Sequence, residues 1–88
     1  MIESIDETTM GELGDARVGM ASMTTMAYTL PDGTEQTGLV CALVLPDQEG
    51  IFVGMGSHFV ADDHTWEVIG IEKSPGELGS VTLRRLEN

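Results

Sequence analysis

Positive charge is scarce in this chain: four Lys and Arg stand against fifteen Asp and Glu, so the formal net charge is 4 − 15 = −11. That shortage excludes a basic stripe able to hold a phosphate backbone. The excess acid repels nucleic acid and anionic membranes, and attracts basic surfaces. Cysteine occurs once, which excludes an intramolecular disulfide and any multi-cysteine metal site. Cys41 sits in the apolar run Leu39-Val40-Cys41-Ala42-Leu43-Val44-Leu45 with no cation beside it in sequence. It reads as a small buried hydrophobe rather than a catalytic thiol. No stretch approaches the ~18 apolar residues of a membrane span. The acidic start lacks the basic region and apolar core of a signal peptide. A cytoplasmic protein is expected.

What the chain does have is enough apolar residue to fold. Hydrophobic residues make up 41% of 88, so this is not an acidic disordered tail. The length sets one small domain, residues 1–88, able to bury roughly 60–65% of its unfolded surface. Eleven glycines and many Val, Thr and Ile residues favour short strands and tight turns.

Residues 1–15 carry Glu3, Asp6, Glu7, Glu12 and Asp15, with Ile2 and Ile5 as the early branched apolar anchors. This acidic segment reads as an edge strand or a frayed end. Gly11 and Gly14 read as a loop, and ordered structure is expected from near Arg17. In residues 18–30 two periods compete. Met20, Met23 and Met26 recur every third residue, as on a helix face; Val18, Met20, Met26, Tyr28 and Leu30 share the even positions of a strand face. The threonines and Tyr28 decide for a long, bulged strand.

Pro31-Asp32-Gly33-Thr34 is a turn signal. It makes a hairpin with residues 36–45, whose apolar second half is expected to lie centrally. Residues 46–50 form the next turn, followed by a strand at 51–53 and a bend at Gly54-Met55-Gly56. Further strands are expected at 57–61, 65–73 and 80–86, separated by turns at Asp62-Asp63-His64 and Ser74-Pro75-Gly76-Glu77. The fold class is therefore all-β: a small antiparallel β-barrel or sandwich of about six to seven short strands, with little or no helix.

His58, Asp62, Asp63 and His64 form the densest polar cluster. A metal reading requires them to converge, whereas a solvated hairpin tip explains the same residues on backbone grounds and is preferred. No Gly-x-Ser-x-Gly turn frames a serine, and Gly54-Met55-Gly56 lacks the lysine and helix of a phosphate loop. Neither a catalytic residue nor a cofactor or metal is assigned, and the protein is read as a non-enzyme. Trp66 is expected in the core beside Phe59 or Phe52. The methionines either fill core gaps or form an adaptable binding patch. Arg84 and Arg85 point to opposite faces of a strand, so they build no basic patch; Glu67 or Glu72 on a neighbouring strand is the expected partner.

The segments Phe52-Val53-Gly54, His58-Phe59-Val60, Thr65-Trp66-Glu67-Val68-Ile69-Gly70-Ile71-Glu72 and Gly79-Ser80-Val81-Thr82-Leu83-Arg84-Arg85 resemble the closing portion of small acidic all-β bacterial proteins of uncharacterised function. In size and charge the chain is also similar to the immunity proteins of bacterial toxin systems. Neither resemblance brings functional residues with it. The second implies a binder that neutralises a basic toxin or effector domain. The charge itself makes a basic protein the expected partner, with no direct nucleic acid and no membrane. The acids at or beside turns are the candidate contacts: Asp32, Glu35, Asp47, Glu49, Asp62, Asp63 and Glu77. Three other readings stay open at this point. One is a nucleic-acid mimic that blocks a DNA- or RNA-binding enzyme. Another is a small enzyme or ligand-binding barrel using His58, His64 and nearby acids. The third is a structural or assembly subunit whose acidity serves solubility.

Overall fold

The structure, a computed structural model, describes residues 2–7, 10–14, 16–45, 50–74 and 76–86. Eight strands follow one another: β1 (Ile2–Asp6), β2 (Met10–Leu13), β3 (Ala16–Thr29), β4 (Glu35–Val44), β5 (Ile51–Gly54), β6 (His58–Ala61), β7 (His64–Glu72) and β8 (Ser80–Arg85). No helix occurs among the described residues. Strands β2, β3, β4 and β5 pair in sequence order as a four-stranded meander sheet. The second four-stranded sheet runs β1-β8-β7-β6 and is here called the split sheet, because its first strand comes from the far end of the sequence. Every pairing is antiparallel. The chain is thus all-β, in two sheets, and the described strands form no closed barrel.

Eight strands exceed the expected count because residues 2–13 contribute two of them. Order does not wait for Arg17. β1 pairs with β8 from Ile2↔Arg84 to Asp6↔Ser80, and β2 pairs with β3 from Met10↔Gly19 to Leu13↔Ala16. Ile5 and Leu13 explain the difference: both are almost completely buried, and strand alternation turns Asp6 and Glu12 outward beside them. Gly11 accordingly lies within β2, not in a loop. β1 forms one margin of the split sheet.

Two bulges reset the alternation. In β3 the register shifts between Met20 and Ser22; in β7 it shifts between Val68 and Gly70. An extra residue moves each later side chain to the opposite face. Val18 and Met20 enter the core before the first bulge, and Met23 packs against it afterwards. Met26 and Tyr28 then fall on the outer face, not with Val18 and Met20. Trp66 and Val68 precede the second bulge, and Ile71 packs against the core beyond it.

One buried cluster draws Ile5, Leu13, Val18, Met20, Cys41, Leu43, Val53, Phe59, Trp66, Val68, Val81 and Leu83 from all eight strands. Trp66 is fully buried at its centre, and its indole Nε1–H donates to the Ala61 carbonyl at 3.1 Å. Phe59 is its cross-strand partner and is 8% exposed; Phe52 is 60% exposed and faces solvent. Of the two phenylalanines expected beside Trp66, Phe59 alone is in the core. β4 is an interior strand, as its apolar run requires, although Val44 at its end is exposed.

The β3–β4 connection closes at residues 31–33. The Gly33 N–H donates to the Leu30 carbonyl at 2.9 Å, and the Leu30 N–H donates to that of Thr34 at 2.8 Å. Gly33 takes φ 90°, the left-handed position such a loop assigns to glycine. Behind this tip, Tyr28 lies over Gly54, where an added Cβ would come 2.5 Å from the ring Cζ. The Tyr28 hydroxyl donates to the Met55 carbonyl at 2.9 Å, fixing the hairpin to the β5–β6 bend.

Candidate functional site

Of the seven candidate acids, the five described do not form one patch. Asp32 and Glu35 flank the β3–β4 tip, and both are exposed. Asp32 also shapes the turn, because its Oδ1 accepts the Thr34 N–H at 2.9 Å. That bond holds the carboxyl below the usual aspartate range. Asp62 and Asp63 form the two-residue turn between β6 and β7, closed by the Ala61↔His64 pair. Asp62 is half-buried, and its carboxylate occupies the space that a Cβ on Gly14 would need. This seats the β6–β7 turn against the connection that leads into β3, at the far end of β3 from Asp32. Asp63 is exposed. Glu77 is exposed in the β7–β8 loop, where its N–H donates to the Ser74 carbonyl at 3.0 Å. Asp47 and Glu49 lie outside the described residues.

The turn at Asp62-Asp63 has φ 54° and 59° at its two residues. Positive φ at both positions is the hairpin turn that matches strand twist, and Asn-Gly or Asp-Gly fills it with least strain. Here two acids take it, and Asp63 holds a left-handed backbone that glycine would hold with less strain.

The histidines do not converge. His58 pairs across the hairpin with Glu67, and His64 with Ala61; Ala61 faces the core, so strand alternation puts the two rings on opposite faces. Among the described residues no group of three or more His, Cys, Asp or Glu side chains is placed to hold a metal ion. On the outer face of the split sheet, Glu67 stands between His58 and Arg84. Its carboxylate accepts from the Arg84 guanidinium and lies 3.5 Å from His58 Nε2. The Arg84 guanidinium, followed by the His58 ring, keeps the Glu67 carboxyl below the ordinary glutamate range. Arg84 thus finds the neighbouring-strand acid that its position implies.

Glu7 is an acid the sequence does not single out. It is buried, and Lys73 Nζ donates to both carboxylate oxygens, at 2.7 and 2.9 Å. The Gly79 N–H donates to the same carboxylate at 3.0 Å, while the Glu7 N–H donates to the Gly79 carbonyl at 2.8 Å. The Lys73 ammonium, with the Gly79 amide, holds the Glu7 carboxyl below its ordinary value against the opposing effect of burial. This is a structural clamp between the β1–β2 and β7–β8 connections. Burial pushes the Cys41 thiol up to about 11, which suits a core residue and not a nucleophile. The methionines divide: Met20 is buried and Met23 half-buried, whereas Met10, Met26 and Met55 are exposed. Among the described residues, no helix is long and apolar enough to cross a membrane.

No family model, curated protein sequence or solved structure matches the chain.

Proposed function

We propose that the protein is an immunity protein or inhibitor, built as a two-sheet β-sandwich, that binds and neutralises a basic toxin or effector domain through acids at its turns. The observation that carries this reading is the Asp62-Asp63 tip. Asp63 occupies left-handed backbone at the turn position that favours glycine, and a local rule broken at this exposed residue marks a place where function outweighs folding. Glu35, Asp63 and Glu77 are exposed and extend the negative surface to both ends of the molecule. A rigid acidic surface steers a basic partner into encounter, and it competes with the anionic substrate such a partner takes. The described candidate acids sit at separated turns, not in a row on one face. That favours a protein-binding inhibitor over a nucleic-acid mimic, which needs carboxylates at phosphate-like spacing. The two histidines on opposite faces give a ligand-binding barrel no support.

The test compares tagged wild type with the variant Glu35→Lys, Asp63→Lys, Glu77→Lys. Both are exposed to one native lysate and washed at low and high salt. Captured proteins are identified by mass spectrometry, and the purified capture is titrated with inhibitor in an assay of its own activity. The expected result is a basic protein held through moderate salt, inactivated by wild type and bound more slowly by the variant. A diffuse salt-sensitive set, or equal association rates for the two proteins, overturns the reading.

A further inference from the structure

The meander sheet has an outer face unlike the rest of the molecule. Register and alternation assign to it Met10 and Glu12 on β2; Arg17, Gly19, Ser22, Thr24, Met26 and Tyr28 on β3; the even residues from Gln36 to Val44 on β4; and Phe52 and Gly54 on β5. In a chain with fifteen acids, the described residues of this face include one acid and one base. They are Glu12 and Arg17, and they oppose each other in register. The outer face of the split sheet, by contrast, presents Asp6, Glu67, Glu72 and Arg84, as a sheet face in water should. On the meander face, Met10 is 57% exposed, Val44 51% and Phe52 60%. Met10, Gly19 and Val44 form one row across three strands. Phe52 pairs with Ala42, two residues from Val44, within side-chain reach of it. The face is already ordered at its other end, where Tyr28 covers Gly54 and the neighbouring Val40 is 1% exposed. An apolar, charge-poor face of this kind marks an interaction surface.

We propose that this face is where two copies of the chain associate, meander sheet against meander sheet. The charge distribution selects that occupant. Two molecules of net charge −11 repel wherever acids meet acids. The described residues of this face bring one carboxylate per copy to such a contact, and Arg17 balances it. In a two-fold contact both copies use the same patch, so Met10, Val44 and Phe52 of one copy meet apolar surface of the other. Among the described residues a basic partner finds Glu12 alone to pair with there, already opposed by Arg17. An anionic lipid surface is repelled by the whole chain. This surface is separate from the acidic turns and does not depend on the inhibitor reading.

The test is sedimentation velocity of the purified protein over a wide concentration range, at low and high salt. Wild type is expected to approach 2 × 9.4 = 18.8 kDa as concentration rises, and to do so more readily at high salt, where self-repulsion is screened. Phe52→Lys and Val44→Lys each reduce the net negative charge, yet each is expected to leave a 9.4 kDa monomer. Val60→Lys alters an exposed residue of the split sheet and is expected to leave the dimer intact. Far-UV circular dichroism checks that each variant keeps the fold, and the two meander-face variants back each other up. A wild type that is monomeric under every condition overturns the proposal, even if Phe52→Lys then weakens capture of another protein. So does a dimer that Val60→Lys dissolves and Phe52→Lys does not.

Discussion

Lys73 and Glu7 are 66 residues apart in sequence, and Lys73 Nζ lies 2.7 Å from the Glu7 carboxylate. The contact ties the end of β7 to the link between β1 and β2, with Gly79 as a third point of attachment. Because the folded state holds the Glu7 proton less tightly than the unfolded chain does, this contribution is complete above the ordinary glutamate pKa. It is lost as pH falls through the lower folded value. Glu67 and Asp32 are shifted in the same direction and add to the same acid limb. The thermal midpoint of wild type should fall as pH is taken from neutral to acid. Glu7→Gln should melt lower at neutral pH and show a shallower acid slope. A parallel pH profile for the two proteins would contradict this account.

Phe59 and Phe52 offer a contrast at constant chemistry. Phe59 packs against Trp66 in the core, and Phe52 faces solvent. Removing the first ring leaves a cavity. Phe59→Ala is expected to cost about 3–5 kcal/mol, and Phe52→Ala to stay within about 0.5 kcal/mol in monomeric protein. Urea unfolding at low protein concentration measures both.

Gly54 has no room for a methyl group beneath the Tyr28 ring. Gly54→Ala forces the ring away and breaks its hydroxyl bond to Met55, at an expected cost of about 1–3 kcal/mol. Tyr28→Ser should recover part of that loss in the double variant. A double-mutant cycle by chemical denaturation reads the coupling, and strictly additive effects would show that the ring does not respond to the methyl group.

Asp63→Gly is expected to stabilise the fold. Relief of about 1–2 kcal/mol of left-handed strain, less about 0.5–1 kcal/mol for the entropy of a new glycine, leaves a net gain of about 0–1.5 kcal/mol. If Asp63 serves binding, the same variant associates more slowly with the basic partner. Stability measured by denaturation and association measured by stopped flow should therefore move in opposite directions.

Much of the fold is legible in local chemistry. Pro31-Asp32-Gly33 fixes a turn, and the run from Leu39 to Leu45 reads as an interior strand. The hard passage is β3, where the spacing of Met20 and Met23 imitates a helix. That spacing is the imprint of the bulge between Met20 and Ser22: one extra residue puts side chains three apart on the same side of a strand. The N-terminal strands are hidden for another reason. Glu3, Asp6 and Glu7 look like a solvated tail until a distant Lys73 and the long-range pairing with β8 account for them; Glu12 does so until its pairing opposite Arg17 does. The exposed apolar face is equally hidden, since Val44 and Phe52 look like core until register turns them outward. Asp32, Glu35, Asp63 and Glu77 are exposed, as turn residues should be, but the half-burial of Asp62 and its place at the far end of β3 from Asp32 follow from its meeting Gly14, a contact between segments far apart in the chain.

The place of β1 beside β8 has a bearing on how the protein is made. All four strands of the meander sheet exist once Gly54 has been synthesised, and each pairs with its predecessor. Of the eight strands β1 is made first, yet its hydrogen-bonding partner β8 is made last. During translation Ile2 and Ile5 must wait, unpaired, for Ser80–Arg85 to leave the ribosome. Such sequence-distant pairing is slow, because the intervening chain has to be closed before the contact rewards it. The acids at Glu3 and Asp6 then act on the nascent chain: their repulsion keeps the waiting β1 strands of neighbouring chains on a polysome from pairing with one another.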